Sequence, residues 1–311
     1  MNRLTLKITA VFVMVLCLVF SSCVAESDNN ATDDEISKTT EKESTVAETT
    51  QPETNPKPKT DDNNILLIGH RGYMGQYPES TIEAFSGAFN SGFDGIECDV
   101  WETKNGDLLI QHDPTTTRTT GKKKYIWNLS EKKRSKYPIV SGGNTQNYHS
   151  TKLIIPTLDE VLKVVRKNNG YLLLHIKDIK KDSKYCLSKS GRKKIISKLK
   201  KYGLKKKTLI FGGKKYVKPF VKKGFKTGVF TSPSKKKKFR LVAKWCKKNR
   251  VNTLVFANMK SIKKSGGGKR VSKYLKKKKL DFGVYKTPTG KAYRYLCRIG
   301  AWFSMSNFDI R

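Results

Sequence analysis

The sequence predicts an α/β protein of the (β/α)8 class, a TIM barrel, on two observations. Eight short apolar segments of strand length recur along residues 65–303, and longer amphipathic or lysine-rich segments separate most of them. Eight strands alternating with helices in roughly 250 residues is the content of one such barrel. A doubly wound open sheet shows the same alternation and is therefore the alternative fold.

The strand segments are rich in β-branched, leucine and aromatic residues. The eight predicted strands are Ile65–Gly69, Asp94–Val100, Tyr171–Ile176, Thr208–Phe211, Lys226–Phe230, Asn252–Phe256, Asp281–Tyr285 and Ala301–Phe303. Apolar residues at helical spacing predict six helices: Ser80–Ser91, Leu158–Lys167, Arg192–Lys201, Lys214–Lys223, Ser234–Asn249 and Gly290–Arg298.

Two stretches do not fit this simple alternation, and a glycine-rich segment needs a separate interpretation. Asp107–Gln111 follows the turn Lys104–Gly106, which predicts a short strand paired with the second barrel strand. Residues 121–156 form a long excursion, which in a barrel is expected at the C-terminal rim, over the active site. Ser265–Arg270 contains three glycines and a lysine without the spacing of a phosphate loop, so we interpret it as a flexible loop.

The amino terminus predicts export. Residues 1–23 combine a short basic start, an apolar run of 13 residues at Ile8–Phe20, and small residues before Cys23. The run is shorter than the roughly 20 residues of a membrane span but fits a secretory signal. We interpret it as a lipoprotein-type signal peptide with Cys23 as the lipidated residue. An ordinary cleaved signal and a retained anchor are the alternatives.

Residues 24–62 are predicted to be a disordered acidic tether. They carry 11 acidic and 4 basic residues and almost no large apolar side chains, so they cannot bury a core. Residues 63–311 then form the folded domain, exported and tethered to the bacterial membrane. Its cysteines are widely spaced, which argues against zinc and favours buried free thiols: Cys98, Cys186, Cys246 and Cys297.

The residues that could carry chemistry cluster at predicted strand ends. Glu97 and Asp99 lie two apart in a strand, so both carboxylates face one side and would repel each other without a cation between them. Oxygen ligands suit Ca²⁺ or Mg²⁺, and His175 or water would complete the shell. Arg71 offers a bidentate fork for a phosphate, and Lys177 offers a point charge.

Two histidines accompany these groups. His70 ends the first predicted strand, and His112 follows the short hairpin. Imidazoles at such positions can serve as general base and general acid, and the sequence leaves open which does which. The remaining histidine outside these clusters, His149, lies in the excursion and is interpreted as a surface residue.

Several ordered blocks resemble the signature of the glycerophosphodiester phosphodiesterases. The blocks are Gly69–Gly72 (GHRG), Pro78–Phe85 (PESTIEAF), Gly92–Val100 (GFDGIECDV), His112–Asp113 (HD), Arg118–Gly121 (RTTG) and Pro156–Leu162 (PTLDEVL). Together they cover about residues 65–165, and several blocks in order are far more specific than any one of them.

The resemblance implies a (β/α)8 barrel that hydrolyses a glycerol phosphodiester to glycerol 3-phosphate and an alcohol with a metal ion. It assigns catalysis to His70 and His112, and metal binding to Glu97 and Asp99. It also assigns the phosphate-binding arginine to Arg71 and the lysine of the third strand to Lys177.

This chain departs from the family pattern at three places. His175 stands where the family usually has a third carboxylate, and the last two strands differ at Tyr285–Pro288 and Phe303–Ser306. One divalent ion is expected, Ca²⁺ or Mg²⁺ first, with Mn²⁺ or Zn²⁺ as alternatives because imidazole suits transition metals. Substrate shape on that side of the pocket is open.

The charge predicts polyanionic partners. The chain has 64 Lys and Arg against 26 Asp and Glu, a net charge of +38. Nucleic acid is the usual partner of such a protein, but it does not suit an exported, tethered one. We expect a small or polymeric glycerol phosphodiester as substrate, and an anionic membrane or envelope surface nearby. The alternatives are a phospholipase-type enzyme acting on phospholipid headgroups and a catalytically degenerate barrel that binds anionic envelope polymer.

Overall fold

A computed structural model describes residues 65–148, 152–177, 187–233 and 236–311. The signal peptide and tether predictions, Cys23, His149 and Cys186 lie outside these residues. Within the described part, eight parallel strands close into a barrel, because the first strand pairs with both the last and the second. The predicted (β/α)8 fold is therefore confirmed, and the open sheet is excluded.

The strands, in chain order, are β1 (Leu66–His70), β2 (Gly95–Glu102), β3 (Leu108–Ile110), β4 (Tyr171–Ile176), β5 (Thr208–Gly212), β6 (Lys226–Thr231), β7 (Thr253–Phe256), β8 (Asp281–Val284) and β9 (Phe303–Ser306). The α-helices are α1 (Ile82–Asn90), α2 (Thr117–Thr120), α3 (Leu158–Lys167), α4 (Lys189–Lys201), α5 (Lys214–Val221), α6 (Lys236–Lys248), α7 (Met259–Lys264), α8 (Gly268–Lys277) and α9 (Gly290–Arg298). Strand β3 is the predicted hairpin partner, antiparallel to β2.

Two packed layers hold the barrel together. Inside it, buried side chains such as Ile68, Leu173 and Phe211 fill the lumen. Outside it, a larger cluster joins the strands to the apolar faces of the helices. Helix α3 begins where the sequence predicts, because Thr157 and Glu160 cap each other's backbone groups in a capping box.

The glycine-rich segment is not a loop throughout, so that prediction is wrong in part. Gly268 begins α8 and is buried against Tyr295, whose hydroxyl accepts a hydrogen bond from the Gly268 amide at 3.0 Å. Gly266 and Gly267 make the turn between α7 and α8 with φ of 97° and 89°. The glycines supply a backbone conformation that other residues adopt at a cost, and the chain uses it to turn between two helices.

The excursion lies beside the loop that follows β1. It packs around Trp101 and Trp127 and contains three short 3-10 turns. The amide of Glu79 donates to the Gly142 carbonyl at 3.0 Å, and the Asn144 amide donates to the Met74 carbonyl at 3.1 Å. The excursion is therefore at the C-terminal rim, as predicted.

Two further features concern export and redox state. Cys98 and Cys246 are buried free thiols, and Cys297 is a half-buried one. Among the described helices, none combines the length and apolar character needed to cross a membrane.

Candidate active site

Barrel register brings the predicted residues together at the carboxyl ends of β1, β2 and β4. His70 pairs with Glu97 across β1 and β2, and Asp99 pairs with His175 across β2 and β4. Lys177 directly follows β4, and its Nζ lies 3.4 Å from Asp99 Oδ1. Carboxyl ends of parallel barrel strands share one mouth, which is where barrel enzymes place catalysis.

Glu97, Asp99 and His175 form a candidate metal centre. One ligand atom of each lies within 4.8 Å of the others, and both carboxylates are fully buried. Glu97 Oε1 and Asp99 Oδ2 have no hydrogen-bond partner among the described residues. Buried carboxylate oxygens without partners are costly unless a cation is bound, so these residues fit a divalent ion.

The two carboxylates differ in their protonation. Burial and the Asp99 charge raise the pKa of Glu97 well above its usual range. Burial also opposes ionisation of Asp99, but Lys177 and the hydrogen bond with His175 outweigh it and lower the pKa of Asp99. The His175–Asp99 contact is 2.6 Å from Nδ1 to Oδ1. The raised pKa favours the protonated form of Glu97.

Arg71 is aimed into the same mouth by a strained turn. Its φ is 56°, and the following Gly72 has φ of 82°. A Cβ on Gly72 would come within 2.5 Å of the Ala84 backbone, so glycine is required there. The Arg71 amide donates to Glu97 at 3.2 Å, and its Nε is buried without a hydrogen-bond partner in the described structure. That Nε lies 3.9 Å from Asp99 Oδ2, beyond hydrogen-bond distance, and can donate to an anionic oxygen of a substrate.

His70 is buried between two neutral partners that the sequence did not identify. Its Nδ1 lies 2.7 Å from Asn307 Oδ1, and its Nε2 lies 2.9 Å from the Tyr285 hydroxyl. Since the amide oxygen accepts, Nδ1 carries the proton and Nε2 accepts from Tyr285. Burial and the nearby Arg71 charge lower the pKa of His70 to about 4. His70 is therefore neutral near pH 7.

His112 has an anionic partner instead. Its Nδ1 lies 2.6 Å from Asp113 Oδ1, and Arg118 Nε donates to Asp113 Oδ2 at 2.5 Å. Burial lowers the pKa of His112, while the Asp113 carboxylate favours its protonated form. Of the two histidines, His112 is the one whose ring is hydrogen-bonded to a carboxylate.

A charge network, defined as Arg71, Glu79, Arg118, Asp113 and His112, connects these groups. Glu79 is almost fully buried and accepts from Arg71 at 3.0 Å and from both terminal nitrogens of Arg118, at 2.8 and 2.7 Å. Burial alone would raise the pKa of Glu79, but the hydrogen bonds and charges of Arg118 and Arg71 lower it. The motif blocks contained Glu79, Asp113 and Arg118, but no role was predicted for these three residues.

A cleft of about 340 Å³ opens beside His70 and Arg71. Its walls come from the β1–α1 loop and the segments after β8 and β9, including Met74, Pro288 and Phe308. Phe308 is 52% exposed. The segments that depart from the family pattern thus contribute Tyr285 and the cleft wall.

Comparisons with known proteins agree with this architecture. Residues 70–218 match the model of the "Glycerophosphoryl diester phosphodiesterase family". A glycerophosphodiester phosphodiesterase of Bacillus altitudinis is 37% identical over 110 residues, covering 34% of this chain and 42% of that protein. Another, from Caldanaerobacter subterraneus, is 33% identical over 147 residues, covering 47% of this chain and 56% of that protein. The chain thus spans about half the length of these curated relatives.

Solved structures share the fold. A phosphodiesterase of Oleispira antarctica, in complex with the product sn-glycerol-3-phosphate, superposes with a TM-score of 0.65 at 19% identity, covering 79% of this chain and 94% of that one. The glycerophosphodiester phosphodiesterase of Thermotoga maritima superposes with a TM-score of 0.61 at 20% identity, covering 78% and 95%. The solved structures show that the fold is shared, and the family model and the curated relatives show that residues 70–218 resemble the glycerophosphodiester phosphodiesterase family.

Proposed function

We propose that this protein hydrolyses glycerophosphodiesters to glycerol 3-phosphate and an alcohol, with a divalent metal ion bound at Glu97 and Asp99. One observation carries the proposal: a buried carboxylate pair, an Arg71 Nε without a hydrogen-bond partner, and two differently paired histidines lie at one mouth. Curated relatives named glycerophosphodiester phosphodiesterases support it.

The two histidines have different environments, and we assign them different roles in proton transfer. His70 is neutral and its Nε2 accepts from the Tyr285 hydroxyl, so it can accept a hydrogen bond from a nucleophilic hydroxyl or water that replaces this contact. His70 therefore accepts the proton of the nucleophile. His112, whose imidazolium Asp113 stabilises, gives a proton to the leaving alcohol oxygen.

Phosphate binding falls to the cations around the carboxylates. Arg71 offers its buried Nε, and Lys177 supplies a charge at the edge of the site. When bound, a divalent ion supplies further positive charge that stabilises the phosphoryl oxygens. Two carboxylates favour Ca²⁺ or Mg²⁺, and Mn²⁺ or Zn²⁺ are the alternatives if His175 is a ligand.

The proposed setting is outside the cell, with the protein held at the bacterial membrane by a lipid on Cys23. The proposed substrates are small glycerophosphodiesters and polymers built of glycerol phosphate. A net charge of +38 supports the polymeric substrate, because a positive field concentrates polyanions around the protein.

Two readouts test the proposal: release of glycerol 3-phosphate from glycerophosphocholine and a polyglycerol phosphate, and release of the headgroup alcohol or its phosphate from phospholipid vesicles. Each substrate is assayed after EDTA treatment and after adding back Ca²⁺, Mg²⁺, Mn²⁺ or Zn²⁺. We expect metal-dependent turnover of the first two substrates, and loss of turnover in Asp99→Asn. Turnover of intact phospholipid alone would replace this function with the phospholipase type. Polymer binding without turnover in any metal would leave only a binding protein.

A further inference from the structure

The positive charge of this protein is concentrated in one continuous segment. Residues 183–280 contain 36 lysines and arginines and no aspartate or glutamate. The rest of the chain carries 28 basic and 26 acidic residues, which nearly cancel. Nearly all of the net charge of the protein therefore comes from this segment.

Part of that charge lies at one end of the barrel, while the first turns of α5 and α8 place Lys214, Lys215, Lys269 and Arg270 at the other end. Within residues 183–280, α4, α5, α6 and α8 end just before β5, β6, β7 and β8, so their carboxyl ends lie at the amino-terminal ends of the strands. That end is opposite the catalytic mouth. We define the basic face as the exposed cations there: Lys206, Lys222, Lys223, Lys247, Lys248, Arg250, Lys276, Lys277 and Lys279.

Little negative charge offsets the basic face. Two acidic residues begin or directly precede the described barrel strands at this end, and both are paired. Asp281 accepts from Lys226 at 2.6 Å, and Asp94 accepts from Arg311 at 3.0 Å. Lysines do stabilise helix carboxyl ends through the helix dipole, but that effect requires one or two per helix. It does not explain 98 successive residues without a carboxylate.

The same end presents aromatic rings beside lysines. Lys226 Nζ lies 3.7 Å from the centroid of the half-buried Trp302 ring, and Lys207 Nζ lies 5.6 Å from that of Tyr171. Half-buried aromatic rings next to lysines are typical of protein surfaces that meet the headgroup region of a bilayer.

We propose that the basic face docks on an anionic lipid bilayer, with the catalytic mouth directed away from it. Of the 36 cations in the segment, 32 are lysines. Lysine acts as a point charge without the bidentate geometry of arginine, so it fits a surface of dispersed anionic headgroups. Ile65, which directly precedes β1, also lies at this end, so the amino-terminal segment joins the barrel on the docking side.

The orientation determines which phosphodiesters reach the site, a consequence that rests on the proposed function. A mouth opposite the docking face cannot reach headgroups of the bilayer on which the protein sits. It faces diesters in the aqueous phase or in polymers that extend away from the membrane. This favours glycerophosphodiesters over intact phospholipids.

Vesicle binding tests the proposal, using the full chain with Cys23→Ser so that no acyl anchor contributes. Binding to phosphatidylcholine vesicles with and without phosphatidylglycerol is compared for two variants of equal charge change. One replaces Lys206, Lys223, Lys247 and Lys277 of the basic face with glutamine. The control replaces four exposed mouth-side lysines with glutamine: Lys104, Lys123, Lys132 and Lys133.

Each lysine near an anionic bilayer strengthens binding roughly fivefold. We therefore expect the affinity of the basic-face variant for vesicles containing phosphatidylglycerol to fall on the order of several hundredfold. The control is expected to lose less than about tenfold. Equal losses in both variants, or no effect of phosphatidylglycerol on the parent chain, would overturn the proposal. The proposal would also be overturned if the basic-face variant lost binding to polyglycerol phosphate but bound vesicles as strongly as the parent chain.

Turnover of glycerophosphocholine, measured on the same variants, separates this proposal from the proposed function. We expect both variants to keep the parent rate, since neither set touches the site. Absence of turnover in all chains, combined with face-specific vesicle binding, would refute the enzyme and leave the docking face intact.

Discussion

At the scale of single residues, the site depends on what neutralises the Glu97 and Asp99 carboxylates. Both are fully buried, and each has an oxygen without a hydrogen-bond partner in the described structure. Burial and Asp99 raise the pKa of Glu97, so a proton and a metal ion compete for the same position.

Metal binding should therefore release a proton and strengthen as the pH rises. Glu97 has a raised pKa, so its proton is held at low pH and must leave before a cation binds. We expect calorimetric titration of Mn²⁺ or Ca²⁺ in buffers of different ionisation enthalpy to detect this release, and Glu97→Gln to abolish it. Affinity independent of pH in the parent chain would show that Glu97 is already ionised.

His112 is predicted to depend on its carboxylate partner. Asp113→Asn keeps a hydrogen-bonding side chain beside His112 Nδ1 but removes the charge that stabilises the imidazolium. We expect kcat to fall about a hundredfold with little change in KM, since a general acid acts in the transition state. A changed KM with unchanged kcat would instead assign Asp113 to substrate binding.

At the scale of elements, Glu79 joins the loop after β1 to α2. Its carboxylate binds Arg71 on one side and Arg118 on the other, and it is 2% exposed. The loop and α2 thus share one ion-pair network centred on the buried Glu79, which fixes Arg71 and, through Asp113, His112. Removing one partner of a buried pair leaves the others unpaired.

Glu79→Gln is predicted to lower the free energy of unfolding by about 3 kcal/mol at pH 7. The pKa of Glu79 is lowered in the folded protein, so its contribution exists above the unfolded pKa and is lost as the pH falls through the folded value. Urea unfolding at pH 7 and in acid should show the difference between parent and variant shrinking in acid. Glu83→Gln, on the neighbouring helix α1, is the matched control. A difference that grows in acid would contradict the assignment.

At the scale of the whole molecule, electrostatics should distinguish polymeric from small substrates. Glycerophosphocholine carries its own cation, whereas a polyglycerol phosphate carries one negative charge per repeat. We expect kcat/KM for the polymer to fall steeply as salt rises, and kcat/KM for glycerophosphocholine to change little. Equal salt dependence for the two substrates would show that electrostatic attraction does not bring the polymer to the site.

The sequence predicted the barrel and most residues of the mouth because those residues are local to strand ends. His70, Glu97, Asp99 and Lys177 each end or follow an apolar segment, so their common location follows from the fold. The Tyr285 and Asn307 contacts with His70 span 215 and 237 residues. No local pattern encodes which distant side chain reaches a buried ring. The last strand also extends past its predicted end because serines alternate with apolar residues in β9.

The most direct test of the central claim is the rate of glycerol 3-phosphate release by His112→Gln, with metal saturating. Glutamine preserves a polar side chain but cannot give or take a proton. Metal-induced stabilisation, measured by thermal unfolding, should match the parent chain and show that the site is intact. We predict that release falls by about a thousandfold. Release at the parent rate from a variant that still binds metal would contradict the two-histidine account of this site.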